Sequence, residues 1–365
     1  MQQSSILRFL IKGSPPASPP DRSARGGHAP SERGSRSTAR GRHRAPNRRR
    51  NHGLKLVADE TKAELPAILA ALPGFDAAKS SSHGLEETKA LDPLACPGYP
   101  LPPSDACAGQ KGTRIRVYDM DTLDVALQLA PAYKVHTHLR RPKPEAAASS
   151  AAASTASTDT LAPAPVLVLN LASERTPGGG WSNGALAQEE CLCYRSSLSL
   201  SLHPSYYPLP SLTAIYTPSV LLLRSSLAAA HKLLTPDTTP PNLPVVSVLS
   251  LAALRKPPLT PDATRFQHDS LRAETRRKIR LVLRVAATMG HAKLVLGALG
   301  CGVFANPPAE VARCFLDVLR EPEFAGGWWQ EVAFAVLDNA KGGQAGADGT
   351  GNFGVFYRVL HGKVV

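Results

Sequence analysis

The sequence predicts an α/β fold, a mixed but mostly parallel sheet with helices on both faces, on three observations. Five apolar runs, at 166–171, 214–217, 245–251, 293–299 and 332–338, are too continuous for strands with a solvent face, and read as strands covered on both sides. Segments with helical spacing separate several of these runs, the pattern of strand–helix–strand units. Glycine-rich turns follow two of the runs, at the carboxyl ends of strands, where such sheets present their ligand loops.

Taken in order, residues 1–48 are rich in Ser, Pro, Gly and Arg and almost lack aromatic side chains. They bury too little apolar surface to offset the entropy of ordering, and read as a disordered tail. From Leu54 to Leu72, LKLVADETKAELPAILAAL, apolar residues recur at helical spacing, with Pro66 expected to break or kink the helix. A proline-containing linker with Cys96 leads to a short strand, RIRVY (114–118), and then to a helix, DTLDVALQLA, capped by Asp121 or Thr122. Residues 143–164 are low in complexity and read as a long surface insertion. After the third apolar run a helix is expected over about 264–289, ended by Gly290. Another, with Asn306 as N-cap and Pro307 in its first position, runs to about Arg320 and buries Val311, Phe315 and Val318. The division implied is a tail over 1–48 and one folded unit over 49–365, with an N-terminal helical extension and an α/β core starting at about 114.

Charge is distributed unevenly. The formal net charge is +13, yet residues 1–50 alone hold eleven Arg and one Lys against Asp21 and Glu32, so the folded part is nearly neutral. A nucleic-acid contact would therefore rest on the tail alone. The six cysteines include no C-x-x-C pair and no zinc-finger spacing with histidine, which fits a reducing compartment. Cys191 and Cys193 read as buried thiols. No apolar run approaches the about 20 residues of a membrane span, and the start lacks a secretory apolar core because Arg8 interrupts ILRFLI. No membrane partner and no metal or other cofactor are expected.

The chemistry concentrates in TPGGGWSNGALAQEE, 176–190. Three consecutive glycines lose much backbone freedom on folding, so something close must require them. A second loop, Gly300-Cys301-Gly302-Val303-Phe304, leads into the helix beginning near Asn306. A glycine turn entering a helix N-terminus exposes main-chain N–H groups to an anion. Either loop alone reads as a tight turn; two at strand ends in one domain fit a nucleotide-diphosphate site. Glu189 and Glu190 alone would read as acids favouring the first turn of a helix. Helical neighbours point about 100° apart, so one acid would act while the other orients substrate. A carboxyl desolvated beside an anion has a raised pKa and can donate a proton to a leaving oxygen.

These residues resemble the signature of the poly(ADP-ribose) glycohydrolase family in its microbial-type branch, in which a triple glycine precedes Gln-Glu-Glu by six to eight residues; here Trp181 to Ala187 make the gap seven. CLCYRSSL after it, LVLGALGCGVFANPPAEVA and VAFAVLD resemble later family blocks in the same order, so the likeness covers about 50–365. The resemblance implies a macrodomain-like three-layer α/β/α sandwich and hydrolysis of the ribose–ribose bond of ADP-ribose polymers, free or on ADP-ribosylated proteins. It makes Glu190 the catalytic acid and then base, with Glu189 and Gln188 positioning ribose hydroxyls and the acid. It places Asn170 and Ser173 at the distal ribose, and Gly178, Gly179, Gly180 and Trp181 beside the scissile ribose and diphosphate. Gly300, Gly302 and Val303 would wrap the diphosphate, with Phe304 against the distal ribose. A non-catalytic ADP-ribose reader is the alternative, and the intact acid pair argues against it.

The tail adds an address. Gln3, Ile6, Phe9 and Leu10 resemble a sliding-clamp (PCNA) interacting peptide, with Leu10 where a second aromatic is usual. A nuclear protein near replication or repair sites, in the DNA damage response, is the expectation; an Arg-rich, acid-poor start also resembles a mitochondrial presequence. The Arg run could touch nucleic acid or polymer phosphates in a salt-dependent way.

Overall fold

The computed structural model describes residues 51–141 and 164–365. The tail 1–48, with its clamp-like residues Gln3, Ile6, Phe9 and Leu10, lies outside the described residues, as does the 143–164 insertion apart from Ala164.

Helix α1 (His52–Ala70) starts at Asn51, whose side-chain oxygen accepts from the N–H groups of Gly53 and Leu54 at 3.0 and 3.3 Å. It runs unbroken through Pro66, contrary to the sequence expectation. Pro66 lies on the exposed face together with Lys62, so the carbonyl that loses its donor is open to water. On the other face Leu65, Ile68 and, beyond the helix, Leu72 are held in a buried cluster.

Seven strands follow: β1 (Ser81–Gly84), β2 (Ile115–Tyr118), β3 (Leu167–Leu171), β4 (Thr213–Leu221), β5 (Val245–Leu251), β6 (Lys293–Leu296) and β7 (Glu331–Ala335). They form one sheet in the order β1-β4-β5-β3-β6-β7-β2. The five strands β5, β3, β6, β7 and β2 are parallel, whereas β4 is antiparallel to β5 and to β1. Strand β1, SSHG, carries no apolar run and was not foreseen. Strand β4 continues past Pro218 through a register shift between Thr217 and Val220, where a missing donor does least harm.

The remaining helices are α2 (Thr122–Leu129), α3 (Val135–Leu139), α4 (Gln188–Arg195), α5 (Asp269–Thr288), α6 (Pro308–Leu319) and α7 (Asn352–Leu360). Strand alternation sorts the core into two layers. Leu167, Leu169, Leu249 and Leu251 join Leu283 of α5, Phe315 of α6 and Phe356 of α7 on one face. Val166, Val168, Val246 and Val248 join Leu54 of α1, Leu123 of α2 and Leu192 of α4 on the other. Each fully buried Leu or Val contributes about 1.5–3 kcal/mol, so the five central strands need both covers, and a three-layer α/β/α sandwich results.

Two helix starts differ from expectation. Helix α5 begins at Asp269 instead of near 264, because Asp262 accepts from Thr260 Oγ1 at 2.6 Å and from Thr264 N at 3.2 Å, a local turn that competes with helix. It stops before Gly290, which takes a φ of +74°. Helix α6 begins at Pro308, and Asn306 is not its cap. The Asn306 amide turns away and donates to main-chain carbonyls of two loops instead. Trp328 and Trp329 are buried ahead of β7, as packing anchors.

Candidate active site

The carboxyl ends of β5, β3 and β6, three neighbours in the sheet, carry the three loops that make the site: 252–268, 172–187 and 297–307. Helix α4 is the fourth element. Gln188 fixes its first turn to the end of β3. Its Oε1 accepts from Leu171 N at 2.8 Å and its Nε2 donates to Leu169 O at 2.8 Å, with a longer bond to Thr122 Oγ1 at 3.4 Å. Both ends of the amide are thus engaged by protein, and Gln188 holds in place the turn that carries the acids.

The acids follow directly. Glu189 and Glu190 are 4 % and 7 % exposed, although carboxylates in a first turn ordinarily face water. Glu189 Oε2 accepts from Ser173 N at 2.8 Å, and its Oε1 lies 3.4 Å from Asn170 Nδ2. Glu190 Oε1 accepts from Gly180 N at 2.9 Å. Although adjacent helical side chains diverge, both carboxyls come together above Gly179: a Cβ built there would stand 2.5 Å from Glu190 Oε1 and 3.1 Å from Glu189 Oε2. The φ of +61° at Gly179 independently disfavours a side chain. Gly178 leaves room for Trp181 and Cys193, and Gly180 for Ala185. The glycines are therefore required first by the acids and the loop's own packing.

Burial pushes the Glu189 carboxyl up to about 8, with the charge of Glu190 adding to it and the Ser173 N–H opposing it. The resemblance gives the acid role to its neighbour Glu190, whose Oε1 is held by Gly180 N. Burial also pushes the Cys191 thiol up to about 12 and the Cys193 thiol well above its usual range, so both are inert under neutral conditions.

Asn170, fully buried at the end of β3, donates to Ser250 Oγ at 3.0 Å, while its Oδ1 has no partner among the described residues. Ser173 Oγ accepts from Arg175 N and Thr176 N at 3.2 Å each, shaping the turn into the triple glycine. Trp181 is 6 % exposed; its ring lies beneath Lys62 of α1, with Nζ 4.8 Å from the ring centre, and edge-on to Tyr194. It supports the loop from behind. Helix α1 completes that support: Lys62 Nζ bonds Ser182 Oγ at 3.0 Å, and a Cβ on Gly184 would strike Asn51 O at 2.2 Å.

In the second loop Gly300 has a φ of +75°, and a Cβ there would meet Asn306 Nδ2 at 2.4 Å and Ala253 Cβ at 2.6 Å. Nothing lies within 4 Å of a Cβ on Gly302, and Val303 is 50 % exposed. The N–H groups of Gly302, Val303 and Phe304 donate to no acceptor among the described residues. Consecutive free amides form a concave donor surface suited to phosphate oxygens. Phe304 lies under the Arg255 guanidinium.

Two residues at the site escaped the sequence reading. Arg255, in the loop after β5, carried no motif; LRKPP reads as an ordinary charged loop. Tyr207 has a buried hydroxyl with no partner among the described residues, and its ionisation is driven up by burial and by the Glu189 charge. Nothing in its sequence neighbourhood marks it.

Comparison with known proteins gives a consistent picture. The family model described as microbial-type PARG, catalytic domain, matches residues 79–225. No curated protein matches the chain. Among solved structures, poly(ADP-ribose) glycohydrolase from Thermomonospora curvata is 27% identical over 84% of this chain and 99% of its own, with a TM-score of 0.57. The same enzyme bound to the inhibitor ADP-HPD is 26% identical, with 84% and 99% covered and a TM-score of 0.56. The Deinococcus radiodurans enzyme in complex with ADP-ribose is 28% identical over 81% of this chain and 97% of its own, with a TM-score of 0.52.

Proposed function

We propose that the chain, which matches the microbial-type PARG catalytic-domain model over residues 79–225 and shares the fold of two bacterial poly(ADP-ribose) glycohydrolases, hydrolyses ribose–ribose O-glycosidic bonds of ADP-ribose polymers, releasing ADP-ribose by acid/base catalysis from Gln188-Glu189-Glu190. The observation that carries this reading is the meeting of two buried carboxyls above Gly179, each oriented by a main-chain N–H.

In this reading Glu190 protonates the leaving ribose oxygen and then, as a carboxylate, takes a proton from the attacking water. Glu189, with its pKa pushed up to about 8, keeps its proton at pH 7. A neutral Glu189 has a hydroxyl to donate to the ribose. Asn170 Oδ1, buried without a partner among the described residues, supplies a matching acceptor for a ribose hydroxyl. The free amides of Gly302, Val303 and Phe304 hold the diphosphate, fixing the scissile bond relative to the acid. Gln188 serves indirectly, by locking α4 to β3.

Release of ADP-ribose from labelled polymer, by wild type and by Glu190→Gln, with ADP-ribose binding measured on both, tests the proposal. Wild type should release ADP-ribose. Glu190→Gln should still bind it and turn over about 10²–10⁴-fold more slowly. Binding by wild type without any release would make the protein a reader. The nuclear address and the clamp contact are proposals carried by the sequence of the tail alone, tested by imaging a fusion of residues 1–50 to a fluorescent protein.

A further inference from the structure

We propose that Arg255 binds the substrate's diphosphate, exchanging its protein carboxylate partner for a phosphate oxygen; this rests on the functional reading above. Arg255 is tied to the glycine loop on both sides. The carbonyl of Leu254, just before it, accepts from Asn306 Nδ2 at 2.6 Å, and the same amide lies 3.2 Å from Gly300 O and 3.3 Å from Phe304 O. The N–H of Lys256, just after it, donates to Phe304 O at 2.8 Å. Lys256 holds a φ of +46°, a left-handed conformation that non-glycine residues seldom enter, and the bond to Phe304 is made from it. Segment 254–256 and the loop 300–306 thus behave as one laced unit, and the Arg255 side chain is aimed by it.

The guanidinium carbon stands 5.2 Å above the Phe304 ring, beside the free amides of Gly302 to Phe304. Its Nη1 reaches Glu174 Oε1 at 3.2 Å and Oε2 at 3.5 Å. Glu174 directly follows Ser173, whose N–H holds Glu189, so Arg255 spans the gap between the acid loop and the glycine loop. Its side chain is 48% exposed, and among the described residues Glu174 engages Nη1 alone. An exposed ion pair of this kind is weak and exchanges readily. The remaining N–H groups of the planar fork suit a phosphate, which accepts in the same bidentate geometry as a carboxylate, and the two phosphates of the diphosphate carry one charge each. Stacking on Phe304 preserves the orientation of the fork whichever anion it holds.

The decisive experiment is calorimetric binding of ADP-ribose, ADP and adenosine to wild type, Arg255→Gln, Arg255→Lys and Glu174→Gln, with melting curves for each. Arg255→Gln should bind ADP-ribose and ADP about tenfold or more weakly and with less salt dependence, with adenosine unchanged. Arg255→Lys should fall between. Glu174→Gln breaks the same ion pair but frees Arg255, and with it Arg175, whose Nε lies 3.3 Å from Glu174 Oε1, so it should bind ADP-ribose several-fold more tightly, a gain that must vanish when Arg255→Gln is added if Arg255 is its source; a merely structural role for the pair would weaken both variants alike. ADP-ribose affinity within about twofold of wild type in Arg255→Gln overturns this inference alone. Failure of the wild type to bind ADP-ribose at all overturns the functional reading and the inference together.

Discussion

Gly179 and Glu190 occupy one position in space: the point where a side chain on Gly179 would begin lies 2.5 Å from the Glu190 carboxyl oxygen. The glycine and the acid are eleven residues apart in sequence and cannot both carry ordinary side chains. Gly179→Ala should therefore displace the acid as well as strain the backbone. Left-handed conformation costs about 1–2 kcal/mol for a non-glycine residue, so a modest drop in melting temperature is expected. Turnover should fall at least about a hundredfold, because positioning within an ångström governs catalysis. Gly343→Ala is the matched control: its Cβ meets nothing within 4 Å and it belongs to neither site loop, so stability and turnover should be unchanged. Equal losses of turnover in both variants would overturn the argument.

Stability should depend on pH through Glu189. A carboxyl whose folded pKa is raised, here from 4.5 to about 8, is favoured when protonated. Its contribution is fully present below pH 4.5 and is lost as the pH rises through about 8, since the unfolded chain releases this proton first. Glu189→Gln stays neutral at every pH and can still accept from Ser173 N. Urea unfolding at pH 5 and pH 9 should show a smaller difference for the variant than for wild type, by a few kcal/mol at most. Parallel curves would remove Glu189 as the titrating group.

Asn306→Ala removes one amide that meets three carbonyls of two loops, at Leu254, Gly300 and Phe304. Asn306 is 3 % exposed, so those carbonyls lose a buried donor, at a cost of about 1–3 kcal/mol. Because this amide holds the proposed diphosphate loop but does not touch the acids, KM for polymer should rise more than kcat falls. Steady-state kinetics on the folded variant decide it; a loss confined to kcat would contradict the assignment.

Arg195, 1% exposed, ends α4 and meets Asp121 and Asp124 of the α2 start, with Nη2 to Asp124 Oδ1 at 2.6 Å. Arg195→Gln leaves Asp121 and Asp124, which are 18% and 32% exposed, without their cation and should destabilise by about 1.5–3 kcal/mol. Any molecules that fold should retain ADP-ribose binding. Chemical denaturation and calorimetry separate the two effects.

The sheet was legible because its central strands are buried on both faces and so read as unbroken apolar runs. Strand β1 was not, because SSHG pairs with β4 through its backbone and carries no pattern of its own. Pro66 misled because a proline's effect depends on which face it occupies, a fact set by tertiary packing. Asn306 misled similarly: an Asn before two prolines reads as a cap, but its amide is claimed by Leu254 O, from a loop about fifty residues away, and by two carbonyls of its own loop. At the site the glycine–acid motif was legible as a motif. The reason for the glycines was only half so, since their first clients are Glu189, Glu190, Trp181 and Ala185. Arg255 was hidden because its meaning lies in Phe304 and Glu174, which are distant in sequence.

The brace from α1 gives the active-site loop an unusual dependence. Asn51 and Lys62 reach Gly184, Ser182 and Trp181 across more than a hundred residues of chain, and Thr61 bonds Tyr194 O in α4 at 2.8 Å. Contacts so remote in sequence close late, because the entropy of the intervening loop must be spent before they return anything. Competence therefore depends on a helix outside the α/β core: fraying of α1 would loosen the segment that carries Trp181, Ser182 and Gly184, and the acids beside it, while the sheet stays folded.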